Sequence, residues 1–167
     1  MTTENTSNAN GAGENVTSFP VSEIKDRQAW MAVLARAHAS ELETAWQDTA
    51  DKPDYSLLRA PECGMVMVRA RAGGEGQRFN MGEMSVTRCV VTIGEGLQGH
   101  AYIAGRDKHH AQLAAVFDAL LQDETRRADI ENRVLKPVRE RLSTEQTQTD
   151  RKVAATRVDF FTMVRGH

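Results

Sequence analysis

The chain has 167 residues, with 21 Lys+Arg against 23 Asp+Glu and a net charge of −2. That length suits one domain with a tail, and the even charge balance excludes recognition of nucleic acid or anionic lipid by bulk electrostatics. The apolar share of 40%, with 12 glycines besides, is ordinary globular composition, while 5% aromatic leaves few stacking platforms for bases or sugars.

Residues 1–22 read as a disordered tail. Met1 to Pro20 is rich in Thr, Asn, Gly and Ser, with Glu4 and Glu14 its only charges, so it buries too little to offset ordering entropy. It has no apolar h-region and is no signal peptide. No stretch approaches the roughly 20 apolar residues of a membrane span, so the expectation is a cytoplasmic protein with no membrane partner. Residues 23–167 read as a single α+β domain.

Helices open that domain. Ile24, Trp30, Leu34 and Ala37 form an apolar stripe with Asp26 as a cap. Ser40 and Glu43 form an S-x-x-E capping box ahead of Leu42, Ala45 and Trp46, and Asp51-Lys52-Pro53-Asp54 ends the second helix. Five β-rich runs follow: Tyr55–Arg59, Met65–Ala72, Gln77–Met81, Met84–Ile93 and Leu97–Ala104. Met65, Met67, Arg69 and Arg71 share one face of the second run, half oily and half basic. Gly73-Gly74-Glu75-Gly76 and Gly94-Glu95-Gly96 supply turns. Short connections imply antiparallel pairing, hence an antiparallel sheet of four or five strands.

Helical period returns at Asp107, an N-cap, with Leu113, Ala114, Phe117, Leu120 and Leu121 facing a core. A further helix carries Ile130, Val134 and Leu135, and Pro137 kinks or restarts it. Ser143 with Gln146 suggests a last capping box, opening a polar helix toward Thr156. The chain then ends in an apolar arm.

Three places carry candidate chemistry. At the strand-to-helix junction, Arg106, Lys108 and His110 crowd a helix N-terminus beside Asp107. Basic groups there oppose the macrodipole, so the cluster serves either capping and interface pairing or contact with an anion. His109 and His110 are adjacent, whereas helical zinc ligands want i,i+4 spacing, so no metal is assigned to them. The glycine turn lacks the P-loop pattern and a following helix. Arg78 and Arg88 add basic groups along the sheet, each with a solvated or salt-bridged alternative. Phe160, Phe161, Met163 and Val164 lie within the last ten residues, where chain ends are usually polar. Such an end docks, on a partner or on its own sheet. Cys63 and Cys89 fit no metal-knuckle spacing and read as buried free thiols. No nucleophile–base or paired-carboxylate arrangement stands out, so no catalytic residue is assigned; His38, His100 and His167 are isolated.

Several of these blocks together resemble a known family. They are Arg27-Gln28-x-Trp30-Met31, Gly73 to Phe79 with Thr87-Arg88, Gly99-x-x-Tyr102-x-x-Gly105-Arg106-Asp107-Lys108-x-His110-Ala111, and Arg157 to Gly166. The family is the G subunit of the bacterial carbon–phosphorus lyase core complex of phosphonate degradation, and the resemblance runs from about Asp26 to Gly166. It implies an assembly with subunits H, I and J, each present twice, so that a second copy of this chain is also a partner. It implies support for attack of an alkylphosphonate on the ribose of ATP, with release of adenine and formation of a ribose 1-alkylphosphonate 5-triphosphate. ATP is then a co-substrate of the complex, with no cofactor on this chain and no catalytic residue to carry over. The leading expectation is a scaffold subunit of this transferase and lyase machinery. The alternatives are an anion- or nucleotide-binding catalytic domain and a free-standing binding module.

Overall fold

Apolar residues at helical spacing from Leu113 to Leu121 and at alternate positions of two strands dictate the architecture. The structure, a computed structural model, describes residues 21–94 and 96–156. The expected tail falls outside those residues except at Val21 and Ser22, where the first helix already begins. The expected docking residues Phe160, Phe161, Met163 and Val164 also lie outside them, as does Glu95.

The order is α1 (Val21–Leu34), α2 (Ala39–Gln47), β1 (Tyr55–Arg71), β2 (Arg78–Ile93), β3 (Leu97–Ala104), α3 (Lys108–Leu121) and α4 (Glu124–Ile130). A π turn (Glu131–Leu135) then leads into α5 (Lys136–Ala155). The sheet is antiparallel in the order β1-β2-β3. The α+β class is therefore as expected, but the described sheet has three strands, not four or five.

The five β-rich runs fuse because their interruptions are absorbed as irregular pairing. Arg59 pairs with Val90 and Glu62 with Arg88, so Ala60-Pro61 together face one β2 residue. Proline is tolerated there because β1 is an edge strand and a bulge needs no ladder N–H. Gly82 pairs normally with Val68, and the extra residue on β2 is its neighbour Met81. The glycine turn is a hairpin as expected, with Gly73 and Gly74 at φ of 60° and 83°.

β3 pairs with β2 only from Val86 to Ile93. Over that half, Thr87, Cys89, Val91 and Ile93 of β2 and Gly99, Ala101 and Ile103 of β3 are buried beneath α3. Gly99 is what lets the helix come so close. A Cβ on it would stand 1.9 Å from the Ala115 carbonyl oxygen and 2.7 Å from the Ala119 nitrogen. α1 and α2 flank α3, and Trp46 of α2 packs edge-on to Phe117 with ring centres 6.3 Å apart. Ile130, Val134, Leu135 and Val138 close the helical side.

One charge lies inside this core. Asp118 is fully buried in an otherwise apolar stretch of α3. Its carboxylate accepts four bonds, from Arg27 (Nη2, 2.7 Å, and Nε, 3.3 Å), the Trp30 indole N–H (2.8 Å) and the His100 backbone N–H (2.8 Å). It ties α1, α3 and β3 together with no lone pair wasted, which is the condition for a buried carboxylate to be tolerated.

Several caps fall elsewhere than expected. α2 starts after His38, and Glu41 reaches back to accept the His38 backbone N–H at 2.7 Å. Ser40 and Glu43 therefore form no box. Asp26 lies within α1, and Ser143 and Gln146 lie within a continuous α5. Asp107 does cap α3, accepting the His110 backbone N–H at 2.9 Å. Cys89 is buried as expected, but Cys63 is exposed.

Candidate functional site

The junction between β3 and α3 is built from backbone and small side chains. Gly105 takes φ of 98°, a region that favours glycine, and its N–H bonds the Ser85 carbonyl at 2.8 Å. The Thr87 hydroxyl donates to the Gly105 carbonyl at 2.8 Å, and the Cys63 thiol lies 3.5 Å from that hydroxyl. This clasp fixes the direction in which Arg106 and Lys108 leave the chain.

The expected basic residues do not form one cluster. Arg106 and Lys108 are exposed at the junction. His110 is buried, with Nε2 2.9 Å from the Leu34 carbonyl oxygen. It joins α3 to the end of α1, with that ring nitrogen committed to a backbone acceptor. Arg88 donates to Glu62 at 2.6 Å and is neutralised there. Arg78 is exposed at the start of β2, beside the hairpin turn. Neighbouring His109 pairs with Glu43 of α2, and the His109 and Gln47 hydrogen bonds hold the Glu43 carboxyl below its usual range.

A second ion pair secures α5. Burial works against ionisation of Glu41. The Arg141 guanidinium, bonding it at 2.8 and 2.9 Å, and the His38 N–H outweigh that and keep its carboxyl low. The same bonds, with Glu145, raise Arg141. Beyond Leu142 every described residue of α5 is exposed, so the helix runs roughly 20 Å free of the body at 1.5 Å per residue.

The other feature projecting from the body is the outer half of the hairpin. Gly64–Arg71 of β1 pairs with Arg78–Val86 of β2, and beyond Val86 β3 offers no partner. Met65, Met67 and Met81 are 62%, 50% and 64% exposed, and Phe79 is 48%. Cross-strand partners share a face, so Met65, Met67, Arg69 and Arg71 lie together with Ser85, Glu83, Asn80 and Arg78. The oily-and-basic alternation seen in the sequence is thus displayed on a ribbon that has no buried side chain from 64 to 71 or from 78 to 85 among the described residues.

Among the described residues no three His, Cys, Asp or Glu side chains gather to hold a metal. No described helix is long and apolar enough to cross a membrane. The concavities are shallow; one of about 400 Å³ lies between α2 and the π turn, lined by Glu41, Asp48 and Arg133. Sequence reasoning missed Asp118, whose signal was a lone acid among the apolar residues of α3.

Comparison with known proteins gives a class first: the chain is a phosphonate metabolism protein, since the family described as "Phosphonate metabolism protein PhnG" matches residues 25–166. It belongs to the PhnG family. A relative from Rhizobium meliloti (strain 1021), the alpha-D-ribose 1-methylphosphonate 5-triphosphate synthase subunit PhnG, is 46% identical over 143 residues. That alignment covers 86% of this chain and 91% of the relative.

Proposed function

We propose that the chain is a subunit of a ribose 1-methylphosphonate 5-triphosphate synthase and serves its assembly as a scaffold. The observation that carries this reading is the 46% identity to a synthase subunit over nearly the whole of both chains. Its partners are subunits I, J and H of the complex together with a second copy of itself. ATP is the co-substrate of the complex, bound and turned over elsewhere, and this chain supplies no cofactor. The setting is the cytoplasm.

In this reading the fold's stability serves presentation. The Asp118 network and the Gly99 contact hold a rigid body. The junction residues Arg106 and Lys108 stand at its surface as interface or anion contacts. The C-terminal residues Phe160, Phe161, Met163 and Val164 follow the free half of α5 and supply an apolar anchor. Four large apolar side chains within five residues favour burial against another surface.

The test is reconstitution. The purified chain alone should release no adenine from ATP and an alkylphosphonate, and a complex lacking it should be inactive or unassembled until it is added. Adenine release by the isolated chain would overturn the scaffold reading in favour of a catalytic, anion-binding domain. Assembly and full activity without the chain would overturn its membership.

A further inference from the structure

We infer that the outer half of the β1–β2 hairpin is a docking ribbon, taken by an extended segment of a different subunit that lies along the free edge of β2 and carries acidic residues. The inference rests on the reading of this chain as a complex subunit and names the surface that reading leaves open.

Three observations converge. The first is an unpaired edge. Opposite β1, β2 has no strand beside it from Arg78 to Met84 among the described residues, because β3 stops at Ala104 opposite Val86. A long edge with bare N–H and C=O groups is a template for another strand, and proteins that must stay alone usually blunt it. Here it is flanked by exposed Phe79 and Met81. The second is that, among the described residues, the ribbon is two-stranded and uncovered, an arrangement marginal in water without a third strand or a packed face.

The third is charge. Arg71 stands directly opposite Arg78, with Arg69 on the same face. Like charges at opposed positions are destabilising. None of the three forms an ion pair with a carboxylate among the described residues. Arg88, by contrast, has Glu62 on the covered part of the same sheet. Arg69, Arg71 and Arg78 share one face of the ribbon and Phe79 stands on the other, so what complements both is an extended peptide whose alternate residues put acids on the first face and apolar groups on the second. A small anion would satisfy the arginines and leave Met65, Met67 and Phe79 wet. A second copy would bring the same surplus of arginine over glutamate to the contact.

The experiment uses the full chain assembled with the other subunits. Backbone amides of residues 78–84 should exchange at least tenfold more slowly in the complex than in the free chain. A photo-crosslinking Met81→benzoylphenylalanine substitution should yield an adduct on another subunit, within an acid-bearing segment. The R69E/R71E/R78E variant should lower the yield of assembled complex at least tenfold, while R69Q/R71Q/R78Q loses less and becomes insensitive to salt. If the charge-reversed chain does not fold, exchange and crosslinking on the otherwise native chain decide. Four results overturn the inference: unchanged exchange in an assembled complex, an adduct on a second copy or on residues 157–167, protection produced by ATP alone, or unimpaired assembly of the triple variant. These strike the ribbon and leave membership standing. Failure of the native chain to join the other subunits at all overturns the membership reading, and the ribbon inference with it.

Discussion

Val86–Ile93 and Arg78–Ser85 are two halves of the same strand in opposite surroundings. The first half has β1 on one side, β3 on the other and α3 above, and its alternate residues are buried. The second half has β1 alone among the described residues, and nearly every side chain on it is exposed. Continuity of the backbone ladder, not packing, carries the strand outward. The inner half stores the stability of the fold, and the outer half is free to specify contact. Substitutions should separate the two roles.

The largest effect on folding belongs to Asp118. Asp118→Ala leaves the Arg27 guanidinium, the Trp30 indole N–H and the His100 N–H without their acceptor. Arg27 can turn to water, its side chain being 30% exposed, but each inward N–H left unpaired costs about 1–3 kcal/mol, so a loss of about 3–4 kcal/mol should be read from urea unfolding. Gly99→Ala forces a methyl into the Ala115 carbonyl and should cost about 3 kcal/mol by overpacking, with a matching loss in thermal midpoint. If either variant melts like the native chain, the inner half is not the seat of stability.

Glu41→Gln tests the attachment of α5 and should cost about 1 kcal/mol at neutral pH, as expected for a paired, only partly exposed carboxylate. Its carboxyl is held below the ordinary 4.5 in the folded chain. The stabilisation is therefore complete above that value and is lost as pH falls through the lower folded pKa. Native and variant stabilities should converge in acid, which a denaturation series from pH 7 to pH 3 checks. The smallest folding effect belongs to the ribbon. Met67→Gln and Met81→Gln alter side chains already in water and should shift unfolding by under about 0.5 kcal/mol. The same pair should weaken assembly measurably in sedimentation of the complex.

Much of the inner region was legible in the sequence. Leu113, Phe117, Leu120 and Leu121 repeat at helical spacing, Asp107 is a short acceptor at the right place, and Gly73-Gly74 invites positive φ. These are local signals, and the structure bears them out. The strand count was not legible, because Pro61 and Gly82 look like breaks until the partner strand shows that a bulge absorbs one and ordinary pairing the other. His110 read as an anion or interface contact at the helix start because its partner, the Leu34 carbonyl, lies far back in the chain. Cys63 sits in a strand-like stretch, but it belongs to the edge strand and remains exposed. The oily-and-basic face of Met65, Met67, Arg69 and Arg71 was visible from alternation alone. That it stands uncovered depends on where β3 stops, which no local pattern in β1 encodes.

The π turn before α5 has a consequence for how this chain tolerates change in length. Pro137 lacks the N–H that an uninterrupted α-helix would use, and the Lys136 N–H instead reaches back five residues to the Glu131 carbonyl. A wide turn of this kind holds an extra residue in the helical path, and each residue advances an α-helix by roughly 100°. The heading of α5 is therefore set by counting. Inserting one residue between Val138 and Arg141, past the turn, would leave the composition of α5 almost unchanged and rotate Arg141 by roughly 100° off Glu41, so that the outer half of the helix would carry its side chains to another side.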